Sequence, residues 1–339
     1  MSSARRGVYL HHPSSFEHDT GGHPERAARI TAIEQELERR GWLGYERLEA
    51  PPVERPALEA VHPPDYIDAI ERISERGGGM LDPDTVASRG SFEAALHAAG
   101  AATRAVDLLL EREADVAFCG LRPPGHHAER MRAMGFCLFN NVAVAASHAL
   151  EGQAGRVMVL DWDVHHGNGT NDIFHASDAV LYVSIHQSPL YPGTGPMTDN
   201  GEGAGEGYTV NLPVPPGSGH GEWVSLVEHV AVPIGRQFAP DLLLVSAGYD
   251  AHRDDPLASC MLTEDSYTAM IAAMRRLAVE LDVPIGIVLE GGYDLGALSA
   301  SVAATLAGAL NGEPPQSVPV APVAVGARSH YARWWSVLA

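Results

Sequence analysis

Short apolar runs alternate with longer amphipathic patterns along most of the chain. A strand that is covered on both faces is apolar throughout, whereas a surface helix repeats its apolar positions every three or four residues. The alternation therefore predicts an α/β fold, in which a mostly parallel sheet carries helices on both faces. The predicted strands are 8–10, 116–119, 157–160, 180–185, 208–212, 242–246 and 285–289. The predicted helices lie near 24–40, 63–75, 91–112, 140–151, 222–237, 264–281 and 295–311.

Two segments depart from this alternation. The stretch 187–207 is rich in Gly and Pro, and a loop of such length is typically functional or mobile. Residues 312–325 are rich in Pro and Val, so we expect an extended C-terminal tail over the surface from about residue 312. A chain of 339 residues could form two domains, but the continuous pattern favours a single domain over residues 1–339.

The composition narrows the kinds of partner. A formal net charge of −20 opposes binding to nucleic acid phosphates and would suit cationic substrates, although acidity also serves solubility. The 23 basic residues are all arginine. There is no run of about 18 apolar residues and no apolar signal core at the N-terminus, so we expect a cytoplasmic protein without membrane association. No coiled-coil pattern appears, and the oligomeric state stays open.

The cysteines do not indicate a structural framework. Cys119, Cys137 and Cys260 are odd in number, scattered, and outside any CxxC pattern. This spacing argues against disulfides and against a thiolate metal site, and it favours small buried residues.

Polar motifs follow four of the predicted strands. They occupy 122–127, 161–168, 247–250 and 290–293, after the strands that begin at 116, 157, 242 and 285. Ligands in open α/β sheets bind beyond the carboxyl ends of the strands. Four motifs on that edge predict one site, assembled from loops at the C-terminal ends of the strands.

The segment 161–170 carries the strongest chemical signal. In an extended chain Asp161, Asp163 and His165 point to one face, because strand side chains alternate. Charged groups at the end of a buried strand cost folding energy unless a metal or a partner satisfies them. Gly167 and Gly169 would let the chain turn close to a bound ion. The segment therefore predicts a metal site.

Each of the other motifs has a structural alternative when it is taken alone. His126 and His127 could be an exposed pair after a Pro-Pro turn. Asp250 could cap a turn before a charged loop, and Gly291 and Gly292 could form a plain strand-to-helix turn. The residues alone leave these alternatives open.

Taken together in order, the motifs resemble those of the zinc-dependent histone deacetylase family, which includes bacterial deacetylases and acetylpolyamine amidohydrolases. The resemblance covers nearly the whole chain, and the features shared with the class II branch are YPGTG, Asn at 168 and AHRDDPL. The blocks that carry it are HPER at 23–26, DPDT at 82–85, RPPGHHAE at 122–129, GFCLFNN at 135–141, DWDVHHGNGT at 161–170, YPGTG at 191–195, SAGYDAHRDDPL at 246–257 and EGGYDL at 290–295.

The resemblance implies an arginase-like α/β fold with one zinc ion on Asp163, His165 and Asp250. Two carboxylates and one imidazole leave coordination positions open, which is typical of a catalytic rather than a structural zinc. Such a ligand set also accepts ferrous iron, so the choice between the two metals stays open.

The resemblance also implies roles for five side chains around the metal. His127 would be the general base and His126 its electrostatic companion. Asp161 would pair with His126, and Asn168 with His127. Because Asn168 is neutral, we expect His127 to be less basic than it would be beside an aspartate. Tyr293 would donate its hydroxyl to the oxyanion of the tetrahedral intermediate.

A straight acyl-lysine arm would reach the metal through a narrow apolar tube. The resemblance implies a rim carboxylate, Asp84, that binds substrate backbone amides. Arg26 would either line an internal exit for acetate or pair with an acid on the first helix. Phe136 taken alone would be a core residue. The implied walls of the tube are Gly135, Phe136, Tyr191 and Leu257.

The resemblance further predicts two monovalent cation sites, both for potassium. The inner site would use the side chains of Asp161 and Ser184 with backbone oxygens of Asp163, His165 and Ile185. The outer site would use backbone oxygens of Phe174, Ser177, Val180 and Tyr208.

The predicted function is removal of acetyl or another short acyl group from lysine side chains of proteins or peptides. The alternative is deacetylation of small amines, the acetylpolyamines, by the same chemistry. A ureohydrolase with two manganese ions is disfavoured, since Gly167 and Asn168 stand where a bridging carboxylate is needed. A catalytically inactive acyl-lysine reader is disfavoured by the complete set of catalytic residues.

Overall fold

The computed structural model describes residues 5–311 and 317–339. Its strands, in chain order, are β1 Gly7–His11, β2 Tyr45–Glu49, β3 Gly78–Asp82, β4 Thr85–Ser88, β5 Val116–Cys119, β6 Val157–Asp161, β7 Val180–Gln187, β8 Thr209–Val214, β9 Leu242–Ala247 and β10 Ile285–Leu289. Its α-helices are α1 Ser14–Glu17, α2 Ala28–Arg39, α3 Arg55–Glu59, α4 Pro64–Glu75, α5 Ser91–Leu110, α6 Asn141–Glu151, α7 Asn168–Phe174, α8 His220–Leu226, α9 Val232–Phe238, α10 Glu264–Leu281, α11 Leu295–Asn311 and α12 Pro322–Tyr331.

Eight of the strands form a parallel sheet in the order β2-β1-β5-β10-β9-β6-β7-β8. Helices cover both faces, as the alternating pattern predicts. Met158 and Leu160 of β6 belong to the core under α2, α10 and α11, whereas Val157 and Val159 belong to the core under α5 and α6. A strand with two buried faces needs apolar side chains at every position, which explains its continuous apolar run.

All seven predicted strands are present, and the predicted α/β class is confirmed. The helix predicted near 222–237 is three pieces, because a π-helical turn, Val227–Ala231, separates α8 from α9. Pattern analysis missed β2, whose sequence YERLE is largely exposed at one edge of the sheet, and the separate hairpin of β3 and β4. Within the described ranges, no helix combines the length and the apolar character that crossing a membrane requires.

The expectation of an extended C-terminal tail is wrong for residues 322–331, which form α12. Ala324, Ala327 and Tyr331 of this helix are buried. The Tyr331 hydroxyl accepts a hydrogen bond from the backbone N–H of Asn211 at 2.8 Å, and Asn211 lies on β8, the other edge of the sheet. The helix therefore covers an edge strand that would otherwise be exposed. The start of the expected tail, 312–316, lies outside the described residues.

The four polar motifs meet at one edge of the sheet. They follow β5, β10, β9 and β6, which are four consecutive strands in the sheet order. Because these strands are parallel, their carboxyl ends point the same way and bring the four loops together.

Candidate metal centre and active site

Asp163, His165 and Asp250 converge as a buried group whose candidate ligand atoms all lie within 4.8 Å of one another. His165 Nδ1 is 3.0 Å from Asp163 Oδ1 and 3.1 Å from Asp250 Oδ2. One imidazole nitrogen carries at most one proton, so it cannot donate a full hydrogen bond to both carboxylates. A single cation among the three side chains would satisfy all of them, so these residues fit a divalent metal with oxygen and nitrogen ligands.

Backbone amides fix both carboxylates from behind. Asp163 Oδ2 accepts the N–H of Gly291 at 2.9 Å, and Asp250 Oδ1 accepts the N–H of Val164 at 3.0 Å. Glycine is required beside them, because a Cβ on Gly248 would lie 2.0 Å from Asp163 Oδ2. The glycines that the sequence places in the two motifs therefore make room for the carboxylates.

The electrostatics of the site also favour a bound cation. Burial and the neighbouring charge of Asp163 raise the pKa of Asp250. Burial opposes a charged imidazole at His165, but hydrogen bonds to the two carboxylates outweigh it and raise its pKa to about 10. Two carboxylates at this separation in a buried place repel each other, and a cation removes that repulsion.

His126 and His127 lie side by side with their ring centroids 4.0 Å apart, and their surroundings give them opposite character. Burial lowers the pKa of His126, but the charges of Asp161 and Asp163 dominate and raise it to about 10. Burial together with the charges of His126 and His165 lowers the pKa of His127 well below its usual value. The surroundings thus favour the charged form of His126 and the neutral form of His127, and a neutral ring has the lone pair that a base needs.

Each of these rings is oriented through its Nδ1 atom, as the resemblance implies. His126 Nδ1 is 3.0 Å from Asp161 Oδ2, and His127 Nδ1 is 2.8 Å from Asn168 Oδ1. The structure adds Tyr182, whose hydroxyl lies 2.9 Å from the same oxygen of Asp161. The role of Tyr182 was not predicted from the sequence, because an aromatic residue within the apolar run of β7 is typical of the hydrophobic core.

Tyr293 lines the cavity above the metal centre, and its main chain is fixed by Asp255. Asp255 Oδ2 accepts the N–H groups of Tyr293 at 2.7 Å and Asp294 at 3.3 Å, while its Oδ1 accepts that of Leu257 at 3.0 Å. Burial and the charge of Asp250 raise the pKa of Asp255 to about 7. One carboxylate thus connects the loop of Tyr293 with the wall residue Leu257.

The structure does not place Arg26 where the sequence analysis expected it. Arg26 is exposed, precedes α2, and lines a surface cleft with residues that include Phe16. The described residues contain no ion pair with Arg26, so neither expected role is seen. A buried arginine behind the site is instead Arg29, whose guanidinium lies 5.1 Å from the ring centroid of Tyr293 and donates to Gly292 O at 2.7 Å.

A cavity of about 220 Å³ leads from the surface to the metal centre. Gly135 has φ +55°, and a Cβ there would lie 2.4 Å from the His127 ring, so only glycine lets this wall approach the base. All of the predicted wall residues and the predicted rim carboxylate line the cavity, and Leu190 joins them. The lining residues are Asp84, His127, Gly135, Phe136, His165, Leu190, Tyr191, Leu257 and Tyr293.

At the mouth, Asp84 lies beside a second carboxylate. Partial burial, then the hydrogen bond and the charge of Asp82, raise the pKa of Asp84 to about 6. Asp82 and Asp84 also line an adjoining cleft of about 370 Å³, which reaches Glu129 and Asn168. The mouth is therefore acidic on this side.

The residues of the predicted potassium sites lie on β6, β7 and α7 and in the loops next to these elements and to β8. Asp161 of β6 is in register with Ser184 of β7, whose hydroxyl is 2.9 Å from His186 Nδ1. In the outer set, Phe174 O accepts the N–H of Ser177 at 2.9 Å, and Tyr208 is hydrogen bonded to Tyr182. Binding of potassium stays a prediction.

Comparisons with known proteins define the family. The model of the histone deacetylase domain matches residues 23–309. A probable deacetylase of Archaeoglobus fulgidus is 39% identical over 293 residues, which are 85% of this chain and 81% of that relative. A histone deacetylase-like amidohydrolase of Pseudomonas aeruginosa is 42% identical over 251 residues, which are 72% of this chain and 65% of that relative. The crystal structure of the HDA15 HD domain matches with a TM-score of 0.92 at 34% identity, covering 98% of this chain and 96% of that one.

The chain therefore belongs to the histone deacetylase family, and its arginase/deacetylase-like fold and amide-hydrolase class follow from that membership.

Proposed function

We propose that this protein is a zinc-dependent amidohydrolase that removes acetyl, or another short acyl group, from lysine side chains. The observation that supports this most is the arrangement of the cavity. A narrow passage ends at three buried metal-binding side chains, with the neutral imidazole of His127 and the hydroxyl-bearing ring of Tyr293 on its walls.

A zinc ion held by Asp163, His165 and Asp250 would supply a Lewis acid that polarises the amide carbonyl and activates water. His127 takes the proton of the attacking water at Nε2 and later gives it to the leaving amine. His126, kept charged by Asp161, stabilises negative charge that develops beside it. Tyr293 donates its hydroxyl to the carbonyl oxygen as that oxygen becomes negative.

The walls match a straight aliphatic arm. Phe136 and Tyr191 supply flat apolar surface, and Leu257 adds an aliphatic wall. Asp84, which lines the cavity, would accept an N–H from the substrate backbone. Between Asp84 and the histidines, the described residues that line the passage carry no charge. A neutral acyl-lysine side chain therefore enters more readily than a charged one.

One observation favours the alternative substrate class, acetylpolyamines. The cleft beside the mouth is lined by three carboxylates, those of Asp82, Asp84 and Glu129, and by one arginine, Arg132. An excess of carboxylates attracts a second ammonium group, which a polyamine carries and a neutral peptide does not.

We also propose that potassium binds at the inner site beside Asp161 and Ser184. The support is the register of β6 and β7, which places these two oxygen-bearing side chains on adjacent strands. Omission of potassium from a metal-defined assay, with sodium as replacement, tests this by a change in kcat.

The experiment is a substrate panel on protein loaded with zinc and, separately, with ferrous iron. The panel holds acetyl-lysine and longer acyl-lysine peptides together with acetylspermidine, and kcat/KM is measured for each. We expect hydrolysis of acyl-lysine that falls about 100-fold or more in Tyr293→Phe and in His127→Ala. Tyr9→Phe is the matched control, since Tyr9 is buried, does not line the cavity, and its hydroxyl has no hydrogen-bond partner among the described residues.

Folded, metal-loaded protein that hydrolyses none of these amides would refute the proposal. A higher kcat/KM on acetylspermidine than on every acyl-lysine peptide would select the alternative substrate class.

A further inference from the structure

Asn168 connects His127 to a third side chain, Glu129, that no motif analysis assigned. His127 Nδ1 is 2.8 Å from Asn168 Oδ1, and Asn168 Nδ2 donates to Glu129 Oε1 at 2.9 Å. An imidazole, an amide and a carboxylate thus form one hydrogen-bonded chain that runs from the cavity to the adjoining cleft.

The carboxylate of Glu129 fixes which atom donates and which accepts in each of these hydrogen bonds. A glutamate carboxylate offers only acceptor atoms, so the amide of Asn168 must turn its nitrogen toward Glu129 and its oxygen toward His127. An amide oxygen is an acceptor, so the proton of neutral His127 lies on Nδ1. This leaves Nε2 with its lone pair free, which is the tautomer that a base needs.

Glu129 is the strongest acceptor near the Asn168 nitrogen. The other two acceptors are the His127 carbonyl oxygen at 3.4 Å and the Met134 sulfur at 3.3 Å. The first is a long contact and the second a weak acceptor, whereas the bond to Glu129 is short and charged. Loss of Glu129 therefore removes most of the preference for one orientation of the amide.

The position of Glu129 is set by its backbone. Its N–H donates to Arg132 O at 3.0 Å, and the N–H of Arg132 lies 3.4 Å from Glu129 O, which closes a tight turn. His62 Nδ1 is 3.0 Å from Arg130 O inside this turn. Across residues 5–311 and 317–339, no ion pair neutralises Glu129, although Arg132 lines the same cleft. Its carboxylate is thus available to Asn168.

We propose that Glu129 is a positioning residue, which fixes the orientation of Asn168 and through it the tautomer of His127. The inference rests on the proposed role of His127 as the base. Because Glu129 is only half-buried and borders a solvent-filled cleft, orientation rather than charge is its main contribution.

The first test reads the tautomer directly and needs no reaction. Nitrogen-15 chemical shifts of the histidine rings distinguish a proton on Nδ1 from one on Nε2, and the signals of His127 are assigned by their absence in His127→Asn. We expect the Nδ1–H tautomer in the natural protein and a shift toward Nε2–H in Glu129→Ala. An unchanged Nδ1–H tautomer in Glu129→Ala would overturn the proposal.

The second test uses reciprocal substitutions at both ends of the short bond. Asn168→Asp removes the donor and sets two carboxylates against each other at 2.9 Å, so we expect kcat to fall about tenfold or more with little change in KM. Adding Glu129→Gln restores a donor between the two side chains, because the glutamine amide can donate to the aspartate. We expect the double variant to recover most of the lost kcat.

Full activity of Asn168→Asp alone, or failure of Glu129→Gln to improve it, would contradict the proposal. Glu113→Ala is the matched control for loss of one acidic residue, since Glu113 is exposed on a loop that follows α5. If the natural protein hydrolyses no acylated amine, the proposed function fails, whereas the nitrogen-15 measurement still decides the role of Glu129.

Discussion

Replacing Gly291 by alanine would place a methyl group inside the metal centre. The added Cβ would lie 2.1 Å from Asp250 Oδ2 and 2.6 Å from Asp163 Oδ2, whereas real Cβ atoms essentially never approach another atom within 3.0 Å. The φ angle of Gly291 is outside the left-handed region, so the backbone itself accepts alanine. The whole effect of Gly291→Ala is therefore steric. It acts on two of the three candidate metal ligands, Asp163 and Asp250.

The size of the effect follows from these distances. Asp250 Oδ2 would have to move by at least about 1.3 Å to reach an ordinary contact, and such overpacking costs about 1–3 kcal/mol in a buried place. The main chain cannot retreat freely, because the N–H of Gly291 donates to Asp163 Oδ2 at 2.9 Å. We expect metal affinity to fall about 100-fold or more, which corresponds to about 2.7 kcal/mol.

The assay is competition for zinc against a chromophoric chelator, with metal content per chain measured after dialysis. Gly326→Ala is the matched control, since a Cβ on Gly326 meets no described residue within 4 Å outside its own turn of helix, and this variant should bind zinc like the natural protein. Thermal unfolding of the metal-free variants checks that both are folded. If folded Gly291→Ala binds zinc within about threefold of the natural affinity, the glycine is not needed to make room for the two carboxylates.

Three further predictions concern the residues around this centre. Asp255→Asn weakens the acceptor of the Tyr293 N–H, so kcat should fall about tenfold at unchanged KM; an equal fall in a Tyr293→Phe background would show that Asp255 acts elsewhere. Burial lowers the pKa of His62 to about 4, so between pH 6.5 and 4 the unfolded chain binds more protons than the folded chain does. The free energy of unfolding therefore falls as the pH drops through that window, by up to about 1.4 kcal/mol per pH unit. The free energy of unfolding, measured in urea at several pH values, should depend less steeply on pH in His62→Gln than in the natural protein. An equal dependence on pH in the two proteins would contradict the assignment. Leu257→Glu should raise the ratio of kcat/KM for acetylspermidine over acetyl-lysine peptide about tenfold, and an unchanged ratio would show that this wall does not select the substrate.

The central sheet could be predicted because the burial of each strand is visible in that strand's own sequence. Each strand between two layers of helices must be apolar at every position, and β6 shows this in the residues Val157 to Leu160. The exposed strand β2 carries the charges that solvent allows at an edge, so its sequence gives no such run. The hairpin of β3 and β4 begins with glycines and exposes Met80, so it has no apolar pattern although it carries the rim.

The convergence of the three candidate metal ligands could be predicted for a similar reason. Asp163 and His165 are two apart in the loop that directly follows β6, and the parallel order of the strands brings Asp250 to them. Glu129 could not be predicted from its spacing, because its contact with Asn168 depends on two loops that pack together only in the folded chain. Arg26 and Arg29 are three residues apart, and a bend before α2 decides which of them points inward.

The most direct test of the account is anomalous X-ray diffraction at the zinc edge from crystals of zinc-loaded protein. We expect one strong peak per chain, within coordination distance of Asp163, His165 and Asp250 at the bottom of the cavity. A loaded crystal with no peak among these three side chains, or with its zinc bound elsewhere, would contradict the claim that they form the metal centre.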